Sequence, residues 1–206
     1  MPRVKAVIAR AAKRDRSCAR CGKSIEVGQS VYTWARKTSY GGTKYYQHQD
    51  CGYPKPSQLY MRKTAQIEDV LQDADWSFSE TLAQDALPGD THEIDTSHVE
   101  GVLGDIADVA ESVGDEYGDS ADALPEGLQN GYQADSLRDV SERLRDWAQE
   151  LRDHSFDDKT VELRELEEDE DLDSWREAMQ EEIDAVIYNI SSEAEELTAD
   201  MPEYEG

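Results

Sequence analysis

The spacing Cys18-x2-Cys21-x26-His48-x2-Cys51 constrains this chain more than any other feature. Two close pairs, separated by enough chain for a hairpin to go out and return, can bring four side chains to one tetrahedral point. All three cysteines of the chain fall in this pattern, within a stretch too small and too polar for an ordinary core. That weighs against three free buried cysteines beside a surface histidine, and an odd cysteine count suits a metal site better than a disulfide framework. Three thiolates and one imidazole match Zn²⁺ better than Mg²⁺ or Ca²⁺. Four protein ligands leave no position for water, so one structural Zn²⁺ held by Cys18, Cys21, His48 and Cys51 is expected. Gly22, directly after the first pair, permits a tight turn whose backbone N–H groups face the sulfurs and help hold them as thiolates.

Charge divides the chain sharply. Residues 1–63 carry 14 Lys/Arg against Asp15, Glu26 and Asp50, a balance of +11. Residues 64–206 carry 7 Lys/Arg against 44 Asp/Glu, a balance of −37. A uniformly acidic, halophile-like surface would not change sign so abruptly, so the basic part is expected to meet something anionic. No apolar run approaches the ~20 residues that span a bilayer. The N-terminus lacks the apolar region of a secretory signal, and a cytoplasmic location with no membrane contact is expected. The Arg-rich, amphipathic first 16 residues faintly resemble a transit peptide, but the cysteine pattern follows them at once.

Residues 3–14 place Val4, Ile8, Ala11 and Ala12 on one helical face. Residues 17–53 hold the β-branched and aromatic runs Val31-Tyr32-Thr33-Trp34 and Thr43 to Tyr46, with Gly28-Gln29 and Gly41-Gly42 as turn signals. One or two short hairpins are expected there. Ser57 is placed to cap a helix beginning at Gln58, with Leu59, Ile67, Val70, Leu71 and Ala74 on one face. Ser97 can cap a second helix whose face runs Val99, Val102, Leu103, Ile106, Val109, Ala110, Val113 and Tyr117. Leu137, Val140, Leu144, Trp147 and Leu151 repeat at 3-4-3-4 spacing, an association seam that can close within the chain or dimerise. A last helix presents Trp175, Met179, Ile183, Val186, Ile190, Ala194 and Leu197. The acidic stretch 157–173 is expected to fray or to bridge through solvent. Gly101, Gly104, Gly114 and Gly118 weaken the helix over 97–118, either for close packing or without purpose.

The expected fold is therefore α+β, mainly α. A basic helix and zinc finger with short β-hairpins (1–57) precede a connecting helix and loop (58–90). An acidic antiparallel helical bundle or coiled coil (97–199) and a tail (200–206) follow.

The Cys-x2-Cys-Gly start, Ile25 and Gly28 entering a strand, a Trp, and an aromatic-rich approach to His-x2-Cys resemble a poly(ADP-ribose) polymerase-type zinc finger over residues 18–51. The resemblance implies binding of broken or distorted DNA. The order of basic N-terminus, cysteine-rich finger, Pro-Ser segment and acidic helical tail is similar to zinc-finger proteins of actinobacterial bacteriophages. That likeness covers most of the chain, implies a host cytoplasm, and brings no activity with it.

Arg14, Arg16, Arg20, Lys23, Arg36, Lys37 and Lys44 are candidate phosphate contacts, and Tyr40 beside Gly41-Gly42 is a candidate stacking residue. Trp34 and one of the tyrosines compete for the alternative task of forming the finger's small core. The basic section can instead dock on the chain's own acidic helices. The leading expectation is a DNA- or RNA-binding protein whose helices serve association or partner contact. The alternative is an interaction or inhibitor protein whose carboxylates imitate nucleic acid before a basic protein partner.

Catalytic patterns fail on inspection. His92 and His98 are six apart and share no helical face, and Asp169-x-Asp171-x-Asp173 lacks the glycine and glutamate of a calcium loop. Gly101-x2-Gly104 follows no strand, and no cysteine is left over as a nucleophile. No enzyme is expected.

Overall fold

A computed structural model describes residues 5–11, 16–38, 41–59, 62–157 and 159–202. The fold is α+β and mainly α, with small antiparallel sheets beside long helices. Two compact units divide the chain, residues 1–69 and 70–206.

In the first unit, β1 (Val7–Arg10), β4 (Ser30–Thr38) and β5 (Gly41–His48) form one antiparallel sheet in the order β1-β4-β5. β2 (Arg16–Ser17) pairs with β3 (Ser24–Ile25). The helix expected over residues 3–14 is replaced, among the described residues, by β1, with Val7 opposite Thr33 and Arg10 opposite Ser30. A short apolar run fits either period, and here the ladder on β4 decides. Ile8, placed on the expected core face, is 61% exposed, while Ala11 is buried.

Strand alternation gives the sheet two different faces. Val31, Thr33 and Ala35 lie opposite His48, Tyr46 and Lys44 on one face. This face meets the small core of Ala11, Cys18, Ile25, Val31 and Tyr46, against which Cys51 packs. Tyr32, Trp34 and Arg36 lie opposite Gln47, Tyr45 and Thr43 on the other. There Trp34, 3% exposed, stacks on Tyr45 at 5.6 Å and donates from Nε1 to Gln58 O at 2.8 Å. Trp34 is thus a core residue.

The short helix α1 runs Pro56–Leu59, starting two residues earlier than the expected Gln58. Proline at the head of a helix loses no hydrogen bond. Ser57 caps nothing; its N donates to Asp69 Oδ1 at 2.9 Å and its hydroxyl also reaches the Asp69 carboxylate. The single expected helix is divided, with α2 (Ala65–Asp73) as its second part.

The second unit is built on α3 (Ser97–Asp122), α4 (Tyr132–Asp153) and α5 (Leu172–Ala199). Asp122 meets Arg138, Asp115 meets Arg145 and Asp108 meets Arg152, so α3 and α4 run antiparallel. Trp147 Nε1 donates to Leu197 O at 3.3 Å and His154 Nε2 lies 3.2 Å from Glu193 Oε1, so α5 is antiparallel to α4. Val140, Leu144, Trp147 and Leu151 are buried and Leu137 half-buried inside this unit. The seam is consumed by its own chain. On α5, Ile187 and Thr198 are buried where Val186 and Leu197 were expected.

Gly114 and Gly118 separate from Gly101 and Gly104. A Cβ on Gly114 would lie 3.1 Å from Ser141 O, and Ser141 Oγ donates to Gly114 O at 2.7 Å. Gly118 faces the same Ser141 hydroxyl, whereas a Cβ on Gly101 or Gly104 meets nothing within 4 Å. Close crossing explains the first two; the other two are tolerated.

The acidic stretch 157–173 is not merely a solvated bridge. It contains β7 (Thr160–Glu162), which pairs with β6 (Thr91–Glu93). Residues 76–84 form a strap antiparallel to α5. Ser191 Oγ donates to Trp76 O, Gln180 holds Glu80 O and Leu82 N, and Arg176 reaches Gln84 O. The α3 entry also differs from a Ser97 cap, since Asp95 Oδ1 accepts from Ser97 N at 3.0 Å. Asp171 caps α5, accepting from Asp173 N and Ser174 N. Hydrogen bonds from Ser174 and Asp173 hold the Asp171 carboxyl below its ordinary pKa. The would-be calcium loop is therefore a helix cap. Among the described residues no helix is long and apolar enough to cross a membrane.

Candidate metal centre

Cys18 and Cys21 bracket the turn between β2 and β3. Cys18 N donates to Lys23 O at 2.8 Å, Gly22 N donates to Cys18 O at 3.0 Å, and Gly22 sits at φ +70°, where a side chain would be strained. The second pair comes from the end of β5. His48 is its last residue, and a single 3₁₀ turn over Gln49–Cys51 carries the chain to the fourth ligand. Gly52, at φ +79°, reverses the chain directly after it.

The four ligating atoms all lie within 4.8 Å of one another. Cys18 Sγ is 3.9 Å from Cys51 Sγ, and Cys21 Sγ is 3.4 Å from His48 Nδ1. Zn–S bonds of about 2.3 Å in a tetrahedron put two sulfurs about 3.8 Å apart, whereas a disulfide needs about 2.05 Å. The residues therefore fit one tetrahedral ion, with His48 turning Nδ1 inward. Among the described residues no other group of His, Cys, Asp and Glu converges in this way.

Electrostatics set the thiols of the cluster against one another. Burial alone would raise the Cys18 thiol, yet backbone N–H groups of Cys21, His48 and Arg20 outweigh it and lower its pKa to about 6. This is the thiolate stabilisation that Gly22 suggests. Burial and hydrogen bonds to Cys21 and Cys18 push Cys51 the other way, up to about 11. Charge on one sulfur disfavours charge on the next, and a dication at the centre removes that conflict.

Two side chains brace the fourth ligand from outside. Arg20, between the first two cysteines, donates from Nη1 to Cys51 O at 2.5 Å. Gln47, fully buried, donates from Nε2 to Gly52 O at 3.0 Å and to Cys51 O at 3.5 Å. Gln47 carries no signal in the sequence: a polar residue beside a ligand reads as surface until the sheet closes over it.

The predicted phosphate contacts divide into three groups. Arg16, Arg20, Lys23 and Lys44 are exposed, and none makes an ion pair with a carboxylate among the described residues. Arg16 Cζ lies 5.4 Å and Lys44 Nζ 5.5 Å from the Tyr46 ring centroid, and Tyr46 is two residues before ligand His48 on the same strand face. Arg36 is spent differently, donating from Nε to Gln58 O at 2.6 Å and also to Ser57 O, so it ties α1 to β4. Arg14, Tyr40 and the Lys37 side chain lie outside the described residues.

The site thus defines a three-cysteine, one-histidine centre able to hold one metal ion, framed by cations. No family model, curated protein or solved structure matches the chain.

Proposed function

We propose that this is a non-catalytic protein that binds nucleic acid through the face carrying the metal centre, with Zn²⁺ as the structural ion. Residues 70–206 would act as an acidic body for association or partner contact. One observation carries the reading: Arg16, Arg20, Lys23 and Lys44 stand exposed around the centre with no carboxylate partner among the described residues. In residues 64–206 every cation is engaged. Arg138, Arg143, Arg145, Arg152, Lys159 and Arg164 pair with carboxylates, and Arg176 reaches a backbone carbonyl. Exposed cations with no carboxylate partner among the described residues, in a chain of net charge −26, suit an external polyanion.

The test is anisotropy of labelled nucleic acid with the zinc-loaded full chain and with the Arg16→Glu, Lys23→Glu, Lys44→Glu variant. Binding that weakens with salt and is lost in the variant supports the reading. Binding indifferent to the three reversals sinks it and moves attention to the acidic helices and a basic protein partner.

A further inference from the structure

We infer that the metal-bearing face grips the phosphate backbone of a nucleic-acid duplex in preference to stacking unpaired bases. The inference rests on the nucleic-acid reading above and narrows it to one class of ligand. Single-strand binders combine cations with aromatic faces on which successive bases lie. Residues 5–59 include five described aromatics; four are buried or half-buried, and Tyr53, 43% exposed, is held by contacts of its ring and hydroxyl. Trp34 and Tyr46 are 3% and 7% exposed. Tyr45 is stacked against Trp34, with Arg36 over its ring at 5.4 Å. Tyr32 and Tyr53 meet edge to face at 5.4 Å, and Ala6 N donates to the Tyr53 hydroxyl at 3.1 Å.

Three of the cations, Arg16, Arg20 and Lys44, are by contrast arrayed in advance. Arg16 and Lys44 share the Tyr46 ring and so stand within about 11 Å of each other. Arg20 is anchored on Cys51 O, and Lys23 belongs to the turn that holds Cys18. Side chains already held in place lose less freedom on binding. A face made of cations gains most from the ligand with the densest charge. Duplex DNA carries one charge per about 1.7 Å of axis and releases about 0.9 counterion per phosphate neutralised, against about 0.7 for a single strand.

The experiment uses the zinc-loaded full chain with labelled duplex DNA, duplex RNA and single-stranded DNA of equal length, between about 50 and 200 mM salt. Four phosphate contacts predict a log–log salt slope of roughly −3.6 on duplex DNA, and Lys23→Gln should reduce it by about 0.9. Single strands should bind more weakly, without quenching tryptophan fluorescence, and Tyr40→Ala should change nothing. Tighter binding to the single strand, fluorescence quenching by it, or a tenfold loss in Tyr40→Ala would overturn the inference while leaving nucleic-acid binding intact. Absence of binding to all three at low salt removes the underlying reading, and the inference with it. The two duplex arms separate DNA from RNA as the source of the phosphates.

Discussion

Cys51 is the ligand most dependent on its neighbours, because it sits on a single 3₁₀ turn and borrows its orientation from Arg20 and Gln47. Residues that orient ligands typically contribute about 10- to 100-fold to metal affinity. Gln47→Leu should therefore weaken Zn²⁺ by about that factor in competition with a chromophoric chelator. The same experiment on Lys23→Gln should show no change, since its side chain touches no ligand. Protonation gives a second check. With its pKa raised to about 11, Cys51 holds a proton at neutral pH, and the metal must displace it. Zinc binding should release protons, visible as a calorimetric heat that varies with the buffer's ionisation enthalpy. Affinity should fall as pH falls. Asp171 has the opposite sign of shift from Cys51: its carboxyl is lowered by the α5 cap, so its contribution is present above the ordinary carboxylate pKa and lost as pH falls through the lowered one. Legibility at this scale was uneven. The four converging side chains were readable because two close pairs a hairpin apart can meet at one tetrahedral point. Gln47 and the structural role of Arg36 were not, because each depends on what covers a particular face of the sheet.

The α3–α4 pair shows at the scale of elements how one residue type can have two meanings. Gly101→Ala should raise the stability of the helical unit by roughly 0.5–1 kcal/mol, since the new methyl meets open space and the helix loses a flexible residue. Gly114→Ala should lower it, because the methyl would press on the Ser141 carbonyl and disturb the bond from Ser141 Oγ. Urea melts of both variants measure the contrast, and equal effects would contradict the close crossing. Helical periodicity was visible for α3, α4 and α5 because each buries a broad apolar stripe on a long, regular element. β1, β6 and β7 were not, since strands of three or four residues exist only through partners far along the chain.

At the scale of the whole molecule, metal and charge act on different parts. Structural zinc contributes about 10–16 kcal/mol where it closes a small unit, and the core beside the centre comprises only five buried side chains. Stripping the metal with a chelator should unfold residues 1–69 while leaving the far-UV signal of α3, α4 and α5. Loss of both in one transition would show that the units are not separately stable. The −37 balance of residues 64–206 should make the helical unit salt-sensitive. Raising salt from about 10 to 150 mM shortens the Debye length from about 30 to 8 Å and should raise its Tm. The sequence alone determined the Cys/His set that converges, the division of charge and the long helices, because pair spacing, net charge and a 3.6-residue period are properties of residue order. Tertiary structure alone decided that the leucine seam closes within the chain, that residues 76–84 strap α5, and which described cations find carboxylate partners. Those outcomes depend on which surfaces meet once loops close, and no local spacing encodes that.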